Sequence, residues 1–203
     1  MTSNPHIDVE DYFNSAPSAW KENREFANYL VERTNPSVIL DLGVDWGHST
    51  ICWAEKHIGK VYGVDTWEPN DICTGGKNLE TKLIPAFKSF REQGMDNIEL
   101  IKGRHEQVFE TWDKHIDILH FDILHQYDGV LDEYNMWKSH LVDGGVMIFH
   151  DVISFPDGVG RFFREYLTGY RLSFNNQFGL GVISDDTELL NDIANKFNVE
   201  TLT

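Results

Sequence analysis

A chain of 203 residues is long enough to bury one substantial core, and no Pro/Gly/Ser-rich linker or charge block divides it. Its formal net charge of -16 excludes a surface built to hold phosphate backbones, which needs clustered Lys and Arg, so nucleic acid is not an expected partner. Two cysteines, Cys52 and Cys73, are too few for a disulfide framework; the polar, acidic start MTSNPHIDVEDYFN and the lack of any apolar run near the ~20 residues that span a bilayer point to the cytoplasm and away from membranes.

Residues 1–35 read as a helical extension, with a helix over 18–33, ahead of a domain spanning 36–203. From there apolar strand candidates alternate with helical patterns, the signature of a doubly wound, mostly parallel sheet with helices on both faces. The first strand falls near 37–42, a helix over 47–57 is entered through a glycine turn, and the second strand falls near 60–65. A loop over 68–76 carries Pro69, Gly75 and Gly76. Pro85 at a first helical position and Gly94 as a cap then predict a helix over 84–93. Strands follow near 98–102 and 116–122. The spacing of Tyr127, Val130, Leu131, Tyr134 and Trp137 predicts an amphipathic helix over 127–140, ending before a turn at Asp143-Gly144-Gly145. Beyond a strand at 145–150 and a helix over 158–167, two short strands at 170–174 and 180–184 should pair antiparallel at one edge.

The densest signal is the run Asp41-Leu42-Gly43-Val44-Asp45-Trp46-Gly47-His48-Ser49-Thr50 after the first strand, with Asp65 ending the second. A dinucleotide fingerprint needs G-x-G-x-x-G so that pyrophosphate can sit on the helix N-terminus; here the spacing is G-x-x-x-G, and Asp45 would repel phosphate. The turn therefore suits a cofactor with a ribose and no phosphate. Asp65 lies where a carboxylate accepts hydrogen bonds from two ribose hydroxyls, and Asp41 lies near where an amino-acid portion would sit. The same residues also suit a purely structural βα junction with Asp65 as a solvated strand end.

Five segments in this order resemble the class I S-adenosylmethionine-dependent methyltransferases, in the branch with a D-x-G-x-x-x-G-x-S first motif and a G-G-x-x-x-F-H-D late motif. They are Asp41 to Thr50, Val61 to Trp67, the stretch IDILHFDILHQYDGV at 116–130, VDGGVMIFHDV at 142–152, and Phe178-Gly179-Leu180-Gly181-Val182. Ile123-Leu124 departs from the Gly-Asp usual there. The resemblance implies a Rossmann-like, seven-stranded sheet with an antiparallel last strand, and S-adenosyl-L-methionine as cofactor. It further implies that Asp65 holds the ribose, that the Gly43 to Gly47 turn passes under the methionine part, and that Gly103, Arg104 and His105 flank the adenine. Asp41, Ser49, Thr66, Trp67 and Asp122 complete the cofactor set, with Trp67, Glu68 and Asp71 overhanging it.

Asp122 and the pair His150-Asp151 end adjacent strands, where open α/β sheets place ligands. Three such side chains can bind a divalent ion, which would lower a substrate hydroxyl's pKa; equally, they can tie a strand end to a loop with no metal. In metal-dependent relatives the matching positions are metal ligands, usually with a carboxylate where this chain has His150. That histidine favours Mn, Fe, Co or Zn over Mg. His125 occupies the relatives' general-base position, and an imidazole suits removal of a hydroxyl proton. His120 reads as a hydrogen-bonded core residue, and His6, His48, His57 and His115 have no spacing that argues for chemistry. Tyr12, Phe13 and Trp20 are candidates for closing over the acceptor.

The expectation is an O-directed methyltransferase acting on a small hydroxylated metabolite or sugar, with Mn or Mg as an optional aid and a homo-oligomer as a compatible state. Three competing readings use the same scaffold: a metal-dependent hydroxylase-like enzyme, a non-catalytic cofactor-binding module, and a nicotinamide dehydrogenase, which Asp45 disfavours.

Overall fold

The computed structural model describes residues 7–68, 79–176, 178–197 and 199–203. The expected loop beyond Glu68, with Asp71 and Cys73, lies outside the described residues, as does His6. Helices α1 (Val9–Ser15) and α2 (Arg24–Thr34) are joined through a 3-10 turn at Lys21–Asn23 and precede the sheet. The chain then runs β1 (Val38–Leu42), α3 (His48–Ala54), β2 (Lys60–Asp65), α4 (Ile84–Glu92), β3 (Ile98–Lys102), α5 (His105–Phe109), β4 (Ile116–Phe121) and α6 (Tyr127–Trp137). It continues through β5 (Leu141–His150), α7 (Val159–Arg161), β6 (Arg171–Phe174), β7 (Leu180–Ser184), α8 (Thr187–Phe197) and β8 (Glu200–Leu202).

The sheet order is β3-β2-β1-β4-β5-β7-β6-β8. The first five strands in that order are parallel, and β7, β6 and β8 join by antiparallel pairings. Successive residues of β1 are buried on opposite faces, Ile39 in one core with Trp53, Ile118 and Ile148, and Leu40 in the other with Leu119, Phe149 and Trp137. A strand covered on both sides reads as a continuous apolar run, which is why the parallel strands were visible in the sequence. Because the chain leaves β1 for β2 on one side and returns to β4 on the other, a crevice opens at the carboxyl ends of β1 and β4.

Four features depart from expectation. The sheet has eight strands rather than seven: β8 is only three residues long, lacks alternation, and is held by pairing with β6, from Arg171↔Leu202 to Ser173↔Glu200. The Asp143-Gly144-Gly145 segment is not a turn but the bulged start of β5, with Gly144 at φ +74° and a register shift against β4 between Ile116 and Ile118. The expected helix over 158–167 is a single α-turn widening into a π-turn at Phe162–Tyr166. Finally, the helix expected over 18–33 begins only at Arg24.

The N-terminal segment is fastened to the first βα junction. The Tyr12 hydroxyl donates to Trp46 O at 3.0 Å, His48 Nε2 lies 3.0 Å from Phe13 O, and Arg24 pairs with Glu10 and Glu55. Burial pulls the His48 imidazole down to about 4. The folded state therefore keeps His48 neutral while the unfolded chain protonates it below about pH 6.5, so acidification from pH 6.5 to 4 should cost about 3 kcal/mol of stability through this group. Urea melts at pH 7, 5.5 and 4.5 check this, and His48→Gln should flatten that part of the curve.

Candidate functional site

The crevice is walled by the turn between β1 and α3. Gly43 sits at φ +100°, and a Cβ there would lie 2.2 Å from the backbone oxygen of Asp122, so only glycine lets the two strand ends meet this closely. Gly47 sits at φ +81° against the Phe87 ring. Asp65 organises the turn: Oδ2 accepts from the amides of Val44 and Asp45, both at 2.9 Å, and Oδ1 from the amide of Trp67 at 2.7 Å. The Trp67 indole in turn donates to Asp45 O at 3.1 Å. A carboxylate has about four lone-pair sites, so Asp65 holds the turn and keeps acceptor capacity toward a ligand.

Asp41 and Ser49, expected beside the cofactor, lie beneath the turn instead. Asp41 is fully buried; Oδ2 accepts from Ser49 Oγ at 2.8 Å and Thr50 Oγ1 at 2.5 Å, and Oδ1 lies 2.6 Å from His120 Nδ1. Their role in this conformation is to brace α3 against β1 and β4. His120 is the buried, hydrogen-bonded residue its strand position suggested. Trp20 packs on it edge-on, with ring centroids 4.6 Å apart, and reaches His150 at 5.8 Å, so it lies under the site rather than over an acceptor. Tyr12 and Phe13 are likewise buried.

On the other wall, Gly103 N donates to Asp65 O at 2.9 Å, which ties the loop after β3 to the end of β2. Thr66 Oγ1 accepts from the Glu68 amide at 3.2 Å. Arg104 is exposed and paired with Glu106, whereas His105 is buried against α6. Burial holds the His105 pKa below its ordinary value.

The carboxylates and histidines converge at the ends of β4 and β5. His125 Nε2 lies 2.9 Å from Asp151 Oδ2 and 3.9 Å from Asp122 Oδ1. Phe155 stacks on the His125 ring with centroids 4.3 Å apart, and Val159 N donates to His125 O at 2.9 Å. Gly158 allows that approach, since a Cβ there would overlap His125 O. One ligand atom each of Asp122, His125 and Asp151 falls within 4.8 Å of the others, a geometry that can hold a cation. The expected set had His150 where this cluster has His125; His150 is buried, with Nδ1 3.2 Å from Asp122 Oδ1 and 3.5 Å from Asp151 Oδ1. Burial opposes a charged His150, but the charges of Asp122 and Asp151 outweigh it and raise its pKa. Asp151 leaves the strand at φ +63°, which turns its carboxylate toward His125.

Sheet order, the switch-point crevice and a glycine turn held by a carboxylate place the chain in the Rossmann-like α/β class. Within that class, residues 40–152, more than half the chain, match the methyltransferase domain family, and the chain belongs to it. It is 26% identical over 196 residues to the uncharacterized protein y4gI of Sinorhizobium fredii, in a match covering 91% of this chain and 21% of that protein. The chain thus spans about a fifth of that relative's length. The structure is similar to an O-methyltransferase from Bacillus cereus in complex with SAH, with TM-score 0.63, 16% identity and 84% of each chain covered. It is also similar to the O-methyltransferase TomG of Streptomyces achromogenes, involved in tomaymycin synthesis and solved with SAM, with TM-score 0.60, 18% identity, and 82% of this chain and 80% of that one covered. Among the described residues no helix is long and apolar enough to cross a membrane.

Sequence reasoning missed Phe155, the floor role of Trp20, and Glu133. The last had a visible signal: Val130, Glu133 and Trp137 share one helical face, and an acid on an apolar stripe is out of place.

Proposed function

We propose that the chain transfers a methyl group from S-adenosylmethionine to a hydroxyl oxygen of a small metabolite or sugar. The observation that carries this reading is the contact of Gly43 with the Asp122 backbone, which sets the cofactor turn beside the His125 and Asp151 pair. A phosphate-free adenosyl donor suits a turn that carries Asp45. Asp65 accepts a ribose hydroxyl with its remaining lone pair, while Gly103 and Arg104, which precede the buried His105, border the adenine. His125 Nε2 faces Asp151 Oδ2 at 2.9 Å, so the carboxylate favours a proton on Nε2 and leaves Nδ1 as the basic nitrogen that takes the acceptor's proton. Displacement at the sulfonium then needs chiefly a deprotonated oxygen held in line.

A second reading is favoured by the convergence of Asp122, His125 and Asp151. Two carboxylates and one imidazole suit Mn better than Mg, and a cation held there supplies charge that lowers the acceptor hydroxyl's pKa. In the base-pair reading, dialysis against EDTA leaves turnover unchanged; loss that Mn restores assigns the second reading.

The primary test is thermal stability with S-adenosylmethionine, S-adenosylhomocysteine and NAD in parallel, followed by release of S-adenosylhomocysteine across a panel of hydroxylated acceptors. A ligand at 100 times its Kd stabilises by about 2.7 kcal/mol. A shift with both adenosyl compounds and none with NAD is expected; a shift with NAD alone would overturn the donor.

A further inference from the structure

Glu133 lies on α6 with 1% of its surface exposed, and neither carboxyl oxygen has a well-aligned hydrogen bond among the described residues, the Leu124 backbone being a weak partner to the carboxyl. Glu133 Oε1 is 3.6 Å from Nε2 of His105, the first residue of α5, and Trp137, one turn further along α6, donates from its indole to His105 Nδ1 at 3.4 Å. The Trp137 bond requires a lone pair on Nδ1, so the proton of a neutral His105 sits on Nε2 and faces Glu133 and Glu106. Two residues earlier, Gly103 is tied to Asp65.

We infer that Glu133 is a positioning residue: from α6 it holds the His105 imidazole, and through His105 it sets the Gly103-Arg104 loop against the adenine end of the cofactor site. This rests on the adenosyl-donor reading above. A buried polar group without a good partner weakens a fold, so its retention here calls for a task that an apolar side chain does not perform. Burial, reinforced by the charges of Asp122 and Glu106, pushes the Glu133 carboxyl well above the usual carboxylate range, which favours the uncharged acid, the form that a glutamine imitates.

The test pairs stability with affinity. Glu133→Met removes the weakly partnered acid at similar volume and should raise the melting temperature by about 2–4 °C. The same substitution should weaken S-adenosylhomocysteine binding by about tenfold by calorimetry, because the His105 Nε2 proton loses the carboxyl it faces, and leave kcat at saturating donor unchanged. Glu133→Gln should bind within about twofold of wild type. In a His105→Phe background, Glu133→Met should cost nothing further in affinity. Unchanged affinity in Glu133→Met, or an equal loss with His105 already replaced, overturns the positioning role while leaving the donor assignment intact. Wild-type protein that fails to bind S-adenosylhomocysteine overturns the donor assignment and the positioning role with it.

Discussion

His125→Ala should lower turnover by about 10²–10⁴-fold, the usual contribution of a positioned general base, while S-adenosylhomocysteine affinity stays within about twofold of wild type. The split follows from where the residue is held. Its main-chain oxygen carries the bond from Val159 N, which survives side-chain truncation, and Gly158 still packs on the same backbone. What disappears is the imidazole held between the Phe155 ring and Asp151. The turn proposed to grip the cofactor is fixed independently by Asp65 and by Asp41 with Ser49 and Thr50. Asp151→Asn should reduce turnover in the same direction, because an amide nitrogen facing His125 Nε2 no longer fixes the tautomer. Single-turnover measurements with a saturating donor separate the steps. Turnover unchanged in His125→Ala would remove the base, and an equal fall in cofactor affinity would make its role structural.

The parts of this fold that were legible in the sequence are those whose burial is written into short apolar runs. Residues Val38 to Leu42 and Ile116 to Phe121 are buried on both faces and needed no partner to be recognised. The short β8 and the bulged start of β5 are fixed by pairing with other strands, which leaves no local pattern to read. The site divides the same way. Strand ends located Asp122, His150 and Asp151, but the side from which each histidine meets the carboxylates depends on side-chain direction. Alternation along β5 puts His150 on the same face as Ile148, toward Trp20 and His120, so it supports Asp122 from behind. His125 comes from a loop, and its position is set by Phe155 and Val159, about 30 residues downstream, a contact that spacing alone does not encode. Asp41 was expected beside the cofactor, yet it lies in β1 with its side chain pointing into the sheet, where the paired hydroxyls of Ser49 and Thr50 and the His120 ring satisfy it.

Asp65→Ala should reduce cofactor affinity at least 100-fold and also destabilise the protein by about 2–4 kcal/mol, because one side chain performs two tasks. Its carboxylate accepts three backbone amides, those of Val44, Asp45 and Trp67, and two of these residues, Asp45 and Trp67, hold positive φ angles that the bonds help maintain. Losing the carboxylate leaves those amides without their acceptor and releases the turn that the methionine part is proposed to cross. Asp65→Asn separates the two tasks. The asparagine can keep one oxygen on the Val44 and Asp45 amides but must turn its amide nitrogen toward Trp67 N–H, so part of the stability loss should remain. Its discrimination between S-adenosylhomocysteine and the 2′-deoxyribose analogue should fall, since a neutral amide rewards a ribose hydroxyl less than a carboxylate does. Calorimetry with both ligands on wild type and Asp65→Asn decides the assignment: wild-type discrimination retained in the variant would leave Asp65 as a brace for the turn and move the ribose contact to another residue.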